Sequence, residues 1–326
     1  MSEHRETLLA KELLSLVNDQ AELTKAKLNG QLQWLQFSGP DHKTKPETWV
    51  LKAQLGTIEK FQKIITLAGL EQDISVIAIA RNAFENLIWL KLFNQDKYYG
   101  LVFYRQLLQQ QLDSQMQAIS KAREEIQLFK QLESEDEPDF DSIADLVDEN
   151  TTKDERDAII SNHIKSSAER VDLKARSAFS IYAQQAKHNG YSYQAHLIEN
   201  DAIPHHETRI KTLNDHMSEL FRSTPLDINP LLEPEFLEKA PRWNWADRAS
   251  KLGMASQYRF LYAFTSRLLH TTPMSLVTPT ELSSQEKCLL LDYLCISIKA
   301  AYEEISKFKY ANQVNVVGFS FDGLKK

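Results

Sequence analysis

Glycine is scarce in this chain: 9 residues, where average usage of about 7% would give roughly 23 in 326. Sheet proteins of this length need glycine at tight turns and bulges, so the shortage argues against a β-rich fold and for long helices with few connections. Cysteine is scarcer still. Cys288 and Cys295 are seven apart on a predicted helix. That places them about 10 Å apart along its axis, too far for a disulfide, so buried free thiols are expected. No run of 18 apolar residues exists; the best, Ile74 to Ala80, is broken by Arg81 and Asn82, so no membrane span is expected. Met1 to Leu16 has no continuous apolar region of the signal-peptide kind, and a cytoplasmic protein is expected. Basic residues are missing from one place in particular. Between Glu133 and Glu149 there are nine carboxylates and no Lys or Arg. Without that segment the net charge of −7 becomes about +2, so the acidity is local, and no strongly basic domain marks a dedicated duplex binder.

What remains is rich in Leu, Gln, Ala, Lys and Glu, all good helix formers, and the fold class expected is all-α. The first helix is predicted from about Glu6 to Leu28, stopped by Asn29-Gly30. A second spans roughly Glu47 to Ala68. The third, about Asp73 to Asn94, is apolar nearly all round, which makes it central. The fourth runs from Tyr98 toward Leu132, about 50 Å at 1.5 Å per residue, long enough to project as half of a helical hairpin. The acidic stretch with Pro138 would be the hairpin tip, and a fifth helix returns from Lys153 to His188. A shorter pair follows, Ser192–Asn200 and His205–Phe221. Four prolines between Ser223 and Pro241 make a connector. Beyond it come short helices at Trp245–Leu252 and Ala255–Leu269, a long one at Ser284–Lys309, and a weakly alternating tail, Val314–Phe321. The expected organisation is an N-terminal helix and loop (1–45), one composite helical bundle with a long projecting hairpin (46–132 and 153–310), an acidic linker or hairpin tip (133–152) and a C-terminal tail (311–326).

The stretch Tyr258–Pro273 is the most informative. Tyr258, Tyr262, Ser266 and His270 are spaced by four, so each step drifts only about 40° and all four form one ridge. A solvent face would more often carry Lys, Glu and Gln. On the apolar third helix, Arg81 and Glu85 stand at i and i+4 and can pair, with Asn82 beside them. A charged pair on so apolar an element needs partners or a water-filled cleft. The third helix is therefore expected to face the ridge, with Arg81 and Glu85 meeting His270. Two readings stand: a hydrogen-bonded network that fixes helix packing, or a site in which His270 is general acid or base and Arg81 or Arg267 steadies an anion such as a phosphate.

Other signals point to less. His196, His205, His206 and Glu207 match no zinc spacing, so surface histidines and no metal are expected. There is no glycine-rich phosphate loop and no Gly-x-Ser-x-Gly elbow, and no cofactor is expected. The lysines from Lys43 to Lys63 read as a solvated face, and Trp243 and Trp245 as core anchors at a helix entry.

Trp245-x6-Leu252, then Tyr258-x3-Tyr262-x3-Ser266-x3-His270, with Arg81-x3-Glu85 on an earlier apolar helix, resembles a bacterial all-helical family of unknown function. That family is similar to the HEPN (higher eukaryotes and prokaryotes nucleotide-binding) helical bundles. The resemblance covers helices two and three and Trp245 to Lys309, about half the chain. It implies a four- or five-helix bundle, often dimeric, in a group holding ribonucleases of toxin and phage-defence systems and inactive binding relatives. The HEPN catalytic motif is an arginine, a polar residue, then a histidine after a gap of four to six; here only two residues separate Arg267 from His270. Arg81 is a candidate for the missing cation. The resemblance implies an RNA- or nucleotide-related, self-associating protein of bacterial defence or stress response, with His270, Arg81 and Glu85 as catalytic candidates and Tyr258, Tyr262, Ser266, Arg267 and Asn82 as binding candidates. The alternative is a non-enzymatic module that meets a protein partner through its helical hairpin.

Overall fold

The computed structural model describes residues 2–37, 39–67, 73–136, 143–144, 147, 151–225, 228–230, 232–236, 242–269 and 282–309. Among them every regular element is helical, so the all-α class holds. No described helix is long and apolar enough to cross a membrane. The chain divides into two compact units, residues 1–105 with 220–326, and residues 106–219.

In the first unit, α1 (Ser2–Phe37), α2 (Pro46–Leu67) and α3 (Asp73–Gln95) precede the start of α4 (Tyr99–Asp136). The unit is completed after residue 220 by α9 (Trp245–Lys251), α10 (Ala255–Leu269) and α11 (Ser284–Lys307). As the pattern predicts, α3 is the central element: it packs on α11 most extensively, then on α10, α2 and α9. Val76, Ile77, Ala80, Phe84, Ile88 and Leu92 of α3 are all essentially inaccessible. The burial of such side chains is worth about 1.5–3 kcal/mol each, which is what holds a helix with almost no polar face. The few polar groups of α3 then dictate who its neighbours are. Asp73 accepts Lys287 Nζ (3.2 Å) and the Leu282 N–H (2.8 Å) at the start of α11. At the other end, the Glu304 carboxylate of α11 accepts Lys91 Nζ (3.1 Å) and Asn94 Nδ2 (2.7 Å). The two helices thus run parallel and are pinned at both ends. Cys288 and Cys295 are buried on α11 and are not joined in a disulfide, as expected.

One helix end differs from expectation. Helix α1 does not stop at Asn29-Gly30 but continues to Phe37. Its core stripe, Leu9, Leu13, Val17, Ala21, Leu28 and Leu35, carries on past the glycine, and burial outweighs the roughly 1 kcal/mol that a helical glycine costs. This stripe packs on α2 and α11, so α1 belongs to the core of the first unit rather than preceding it.

The second unit holds the rest of α4 with α5 (Lys153–Ser177), α6 (Ala183–Asn189), α7 (Tyr191–Leu197), a π-turn (Ile198–Ala202) and most of α8 (Ile203–Ser223). It has its own core: Ala122, Ile126, Phe129 and Leu132 of α4 against Val171, Ala175, Ala186, Tyr191 and Ala195. The helix predicted as continuous from Lys153 to His188 is broken between α5 and α6. Glu125 of α4 is wholly buried, ion-paired to Lys121 (3.0 Å), and it accepts both the Ser180 hydroxyl and the Ile181 N–H (3.2 Å). Satisfying that buried carboxylate turns the chain and leaves Phe179 at φ 52°, unusual for a residue with a side chain. Most of the acidic segment, residues 137–142, 145–146 and 148–150, lies outside the described residues, as do the tail 310–326 and His270.

Two consequences are measurable. A Cβ added at Gly100, in the first turn of α4, would lie 2.2 Å from the Pro46 carbonyl oxygen, a backbone atom that cannot step aside. Gly100→Ala is expected to lose about 1–3 kcal/mol in urea denaturation, the range for overpacking. The second concerns acid. Burial pushes the Glu304 carboxyl up, but hydrogen bonds from Asn94, Lys307 and Lys91 outweigh it and hold it below its ordinary 4.5. A depressed folded value means the stabilisation is present above pH 4.5 and is lost as pH falls through that lower value. Glu304→Gln should therefore flatten the fall in unfolding free energy below pH 4.5; an unchanged slope would refute the assignment.

Candidate functional site

The packing of α10 on α3 builds the polar cluster. Leu261 and Thr265 of α10 are buried, and the Thr265 hydroxyl is used up on the Leu261 carbonyl (2.8 Å). That choice of buried face leaves Tyr258, Tyr262 and Ser266 along one flank of α10. The Arg81 guanidinium of α3 lies over the Tyr262 ring, 4.8 Å from its centroid, and Arg81 Nε donates to Glu85 Oε1 at 3.2 Å. Tyr262 stacks on Tyr258 (5.5 Å), and Tyr258 on Phe84 of α3 (6.3 Å). Phe84 in turn meets Tyr293 of α11 (6.0 Å). Asn82 accepts from Asn86 Nδ2 through both its side-chain (2.9 Å) and main-chain (2.8 Å) oxygens. Of the residues singled out from sequence, Arg81, Glu85, Tyr258 and Tyr262 are thus brought together. His270 and the Arg267 side chain lie outside the described residues.

The cluster is half open to solvent. The Arg81 and Glu85 side chains are 30% and 24% exposed and Tyr262 is 42% exposed, whereas the Ser266 Oγ is buried. Among the described residues that hydroxyl has no hydrogen-bond partner, and Glu85 is the only hydrogen-bond partner of Arg81. Burial pushes the Tyr258 phenol up, reinforced by Tyr262 and Glu85 against the opposing pull of Arg81, so it stays protonated at neutral pH. Chemically the site presents a cation on an aromatic ring and further guanidinium N–H groups, beside a buried hydroxyl with unused capacity. Glu85 offsets the charge of Arg81, which favours planar and hydrogen-bonded recognition over a purely electrostatic clamp.

The other sequence signals resolve as packing. Trp243 stacks on Trp89 (4.3 Å), Trp245 meets both edge-on, and Arg248 lies 4.3 Å over Trp243 while pairing with the buried Glu235. Core anchoring at the entry to α9 is what these tryptophans do. His206 bonds Gln115 (2.7 Å) and His196 bonds Asn200 (3.1 Å). Among the described residues, no three His, Cys, Asp or Glu side chains are placed to hold a metal. One arrangement escaped the sequence. Lys52 is not in a solvated row but sits 4.1 Å over Trp49, which stacks on Tyr104 at 3.6 Å. Burial, then repulsion from Lys43, pushes the Lys52 ammonium down. Its only sequence signal is the i, i+3 spacing of Trp49 and Lys52.

Stability separates scaffold from site at α10. Ser266→Ala removes no bond formed among the described residues and should leave stability within about 0.5 kcal/mol of the parent, or raise it. Arg81→Ala should cost less than about 1 kcal/mol, as for a part-exposed pair. A loss of several kcal/mol for either in urea denaturation would make the cluster scaffold.

Every one of these site residues lies inside a single family match. The model of a family of unknown function, DUF5677, matches residues 49–285, from α2 to the first turn of α11. No curated protein and no solved structure matches the chain. With 237 of its 326 residues matched, this chain belongs to the DUF5677 family of unknown function.

Proposed function

We propose that the α3–α10 seam is an RNA- or nucleotide-binding site in a HEPN-like helical protein of bacterial defence or stress response. The observation that carries this is the Arg81 guanidinium resting on the half-exposed Tyr262 ring, next along α10 from the unpartnered Ser266 hydroxyl. The exposed part of the Tyr262 ring offers aromatic surface to a base, a contact worth about 1–3 kcal/mol and tolerant of sequence. Arg81 directs its remaining N–H groups to a phosphate oxygen or a base edge, while Glu85 fixes its orientation. Asn82 adds a polar contact. His270, four residues past Ser266 in sequence, is the general acid or base if the site cleaves. The short spacing from Arg267 to His270 makes Arg81 the cation of that chemistry. The protein self-associates in this reading.

Binding of a fluorescein-labelled 12-nucleotide single-stranded RNA, followed by anisotropy at low salt, tests it. The parent protein binds; Tyr262→Ala and Arg81→Ala each weaken binding about tenfold or more, by the magnitude of a stacked base, with unchanged melting temperatures. A parent that does not bind, or variants that bind equally well, sinks the proposal. Incubation of the same RNA with the parent and with His270→Ala then decides between a ribonuclease and a binding relative.

The alternative, a protein-binding module acting through the second unit, rests on the α5–α6 turn, where Phe179 is 85% and Ile181 61% exposed beside the buried Glu125. Replacing both by Asp would abolish capture of a partner protein while leaving RNA binding untouched.

A further inference from the structure

In the second unit, helix α8 keeps acids and donors on separate flanks. On one flank Glu207 and Ile210 line a groove with Met116, Arg123 and Glu124 of α4. On the other, a cavity of about 360 Å³ opens between α8 and α4, and no carboxylate lines it. His205, Arg209, Thr212 and His216 form its α8 wall and Gln111 its α4 wall, with the buried Leu213 at its floor. Steps of four, three and four residues keep the four α8 side chains within about 60° of one another, on a ridge about 16 Å long. The Thr212 hydroxyl donates to the Thr208 carbonyl (3.1 Å), and that of Thr208, also in the lining, to Pro204 (2.9 Å), so both donors are spent. Gln111, Arg209 and His216 make no hydrogen bond or ion pair among the described residues.

A solvated helix face commonly sets an acid three or four residues from each arginine. The positions three and four away from Arg209 hold His205, His206, Thr212 and Leu213 instead. Other cations of this unit do reach carboxylates: Arg176 (3.1 Å) and Lys187 (3.2 Å) share Asp172, and Lys174 takes Glu135 (2.5 Å). The groove therefore gathers a guanidinium fork, an amide NH2 and two imidazoles, and supplies no anion of its own. A matching ligand carries negative charge and acceptor oxygens. The planar fork of arginine fits two oxygens of one phosphate, which a lysine at the same place could not do. The space is larger than a bare ion fills and lies in the range of small-molecule sites, which leaves room for an organic group over Leu213.

We infer that the α4–α8 groove is a binding site for a small phosphomonoester, with Arg209 on two phosphate oxygens, Gln111 and His216 donating to the same group, and the organic part against Leu213 and His205. The inference is independent of the RNA-binding reading. Proton–carbon spectra of the histidine Hε1 groups, recorded on the full chain while ribose 5-phosphate is added, test it. The His205 and His216 signals, identified by their loss in His205→Gln and His216→Gln, should shift and saturate with a Kd of about 1 mM or tighter. Arg209→Gln, at an exposed position with no bond to lose, should keep the melting temperature and weaken binding about tenfold or more. Signals that do not saturate overturn the inference, as does an unchanged affinity in Arg209→Gln. Inorganic phosphate binding as tightly as ribose 5-phosphate overturns it too, since no organic subsite would then exist. Single-stranded RNA that moves the same signals at lower concentration would make the ridge a nucleic-acid contact and equally sink it.

Discussion

Helix α3 has almost no polar face, and the first unit is arranged around that fact. A helix buried on nearly every side gains its stability from packing, and packing alone is tolerant of rotation and sliding. Register comes instead from the few polar groups that α3 carries into the interior, because each must find a partner or pay its desolvation penalty. Asp73 takes the start of α11, Lys91 and Asn94 take Glu304 near its end, and Arg81 takes the face of Tyr262 on α10. Three neighbouring contacts on two helices are thereby set by four side chains of one helix. The candidate site is one of these contacts, which explains why a polar cluster can exist against so apolar an element.

The same division between packing and polar pairing decides what could be read in the sequence. The central place of α3, the ridge of α10 and the role of Trp243 and Trp245 follow from periodicity, a local property. The meeting of Arg81 with the Tyr258–Tyr262 ridge was legible because a charged pair on an apolar helix requires a polar or aromatic counterpart, and this chain offers one conspicuous candidate. The break after Ser177 was not legible, because its cause, Glu125, lies 55 residues away on another helix. The stop signal at Gly30 was legible but overruled, since Leu28, Leu32 and Leu35 keep the helix worth burying on the far side. The stacking of Lys52 on a Trp49–Tyr104 pair likewise needed the tertiary contact between α2 and α4 before the lysine could be distinguished from a solvated one.

Charge shapes what the α3–α10 seam is suited to recognise. Arg81 and Glu85 nearly cancel, and outside the acidic segment the whole chain is close to neutral. Binding at such a seam cannot draw chiefly on counterion release, the term that dominates for basic duplex binders. In the proposed reading it draws on the aromatic surface and on directed hydrogen bonds, which would suit unpaired bases or a free nucleotide better than a helical backbone. The partial exposure of Tyr262 and the buried, unused capacity of Ser266 fit that balance: one surface to stack on, and one polar atom whose present environment leaves it unsatisfied.

The family match bears on how the seam is held in place. It covers α2, α3 and α10, the helices that carry the site and its immediate support, yet it stops at the first turn of α11 and begins after α1. In this chain α11 is nevertheless the principal packing partner of α3, and α1 closes the other side of α11. The residues that shape the site therefore depend for their placement on two helices beyond the matched span. Glu304 sits near the end of α11, holding α3 through Lys91 and Asn94. A change in packing along α11 would reach the Arg81–Tyr262 contact through α3, an element too closely packed to absorb it by loosening.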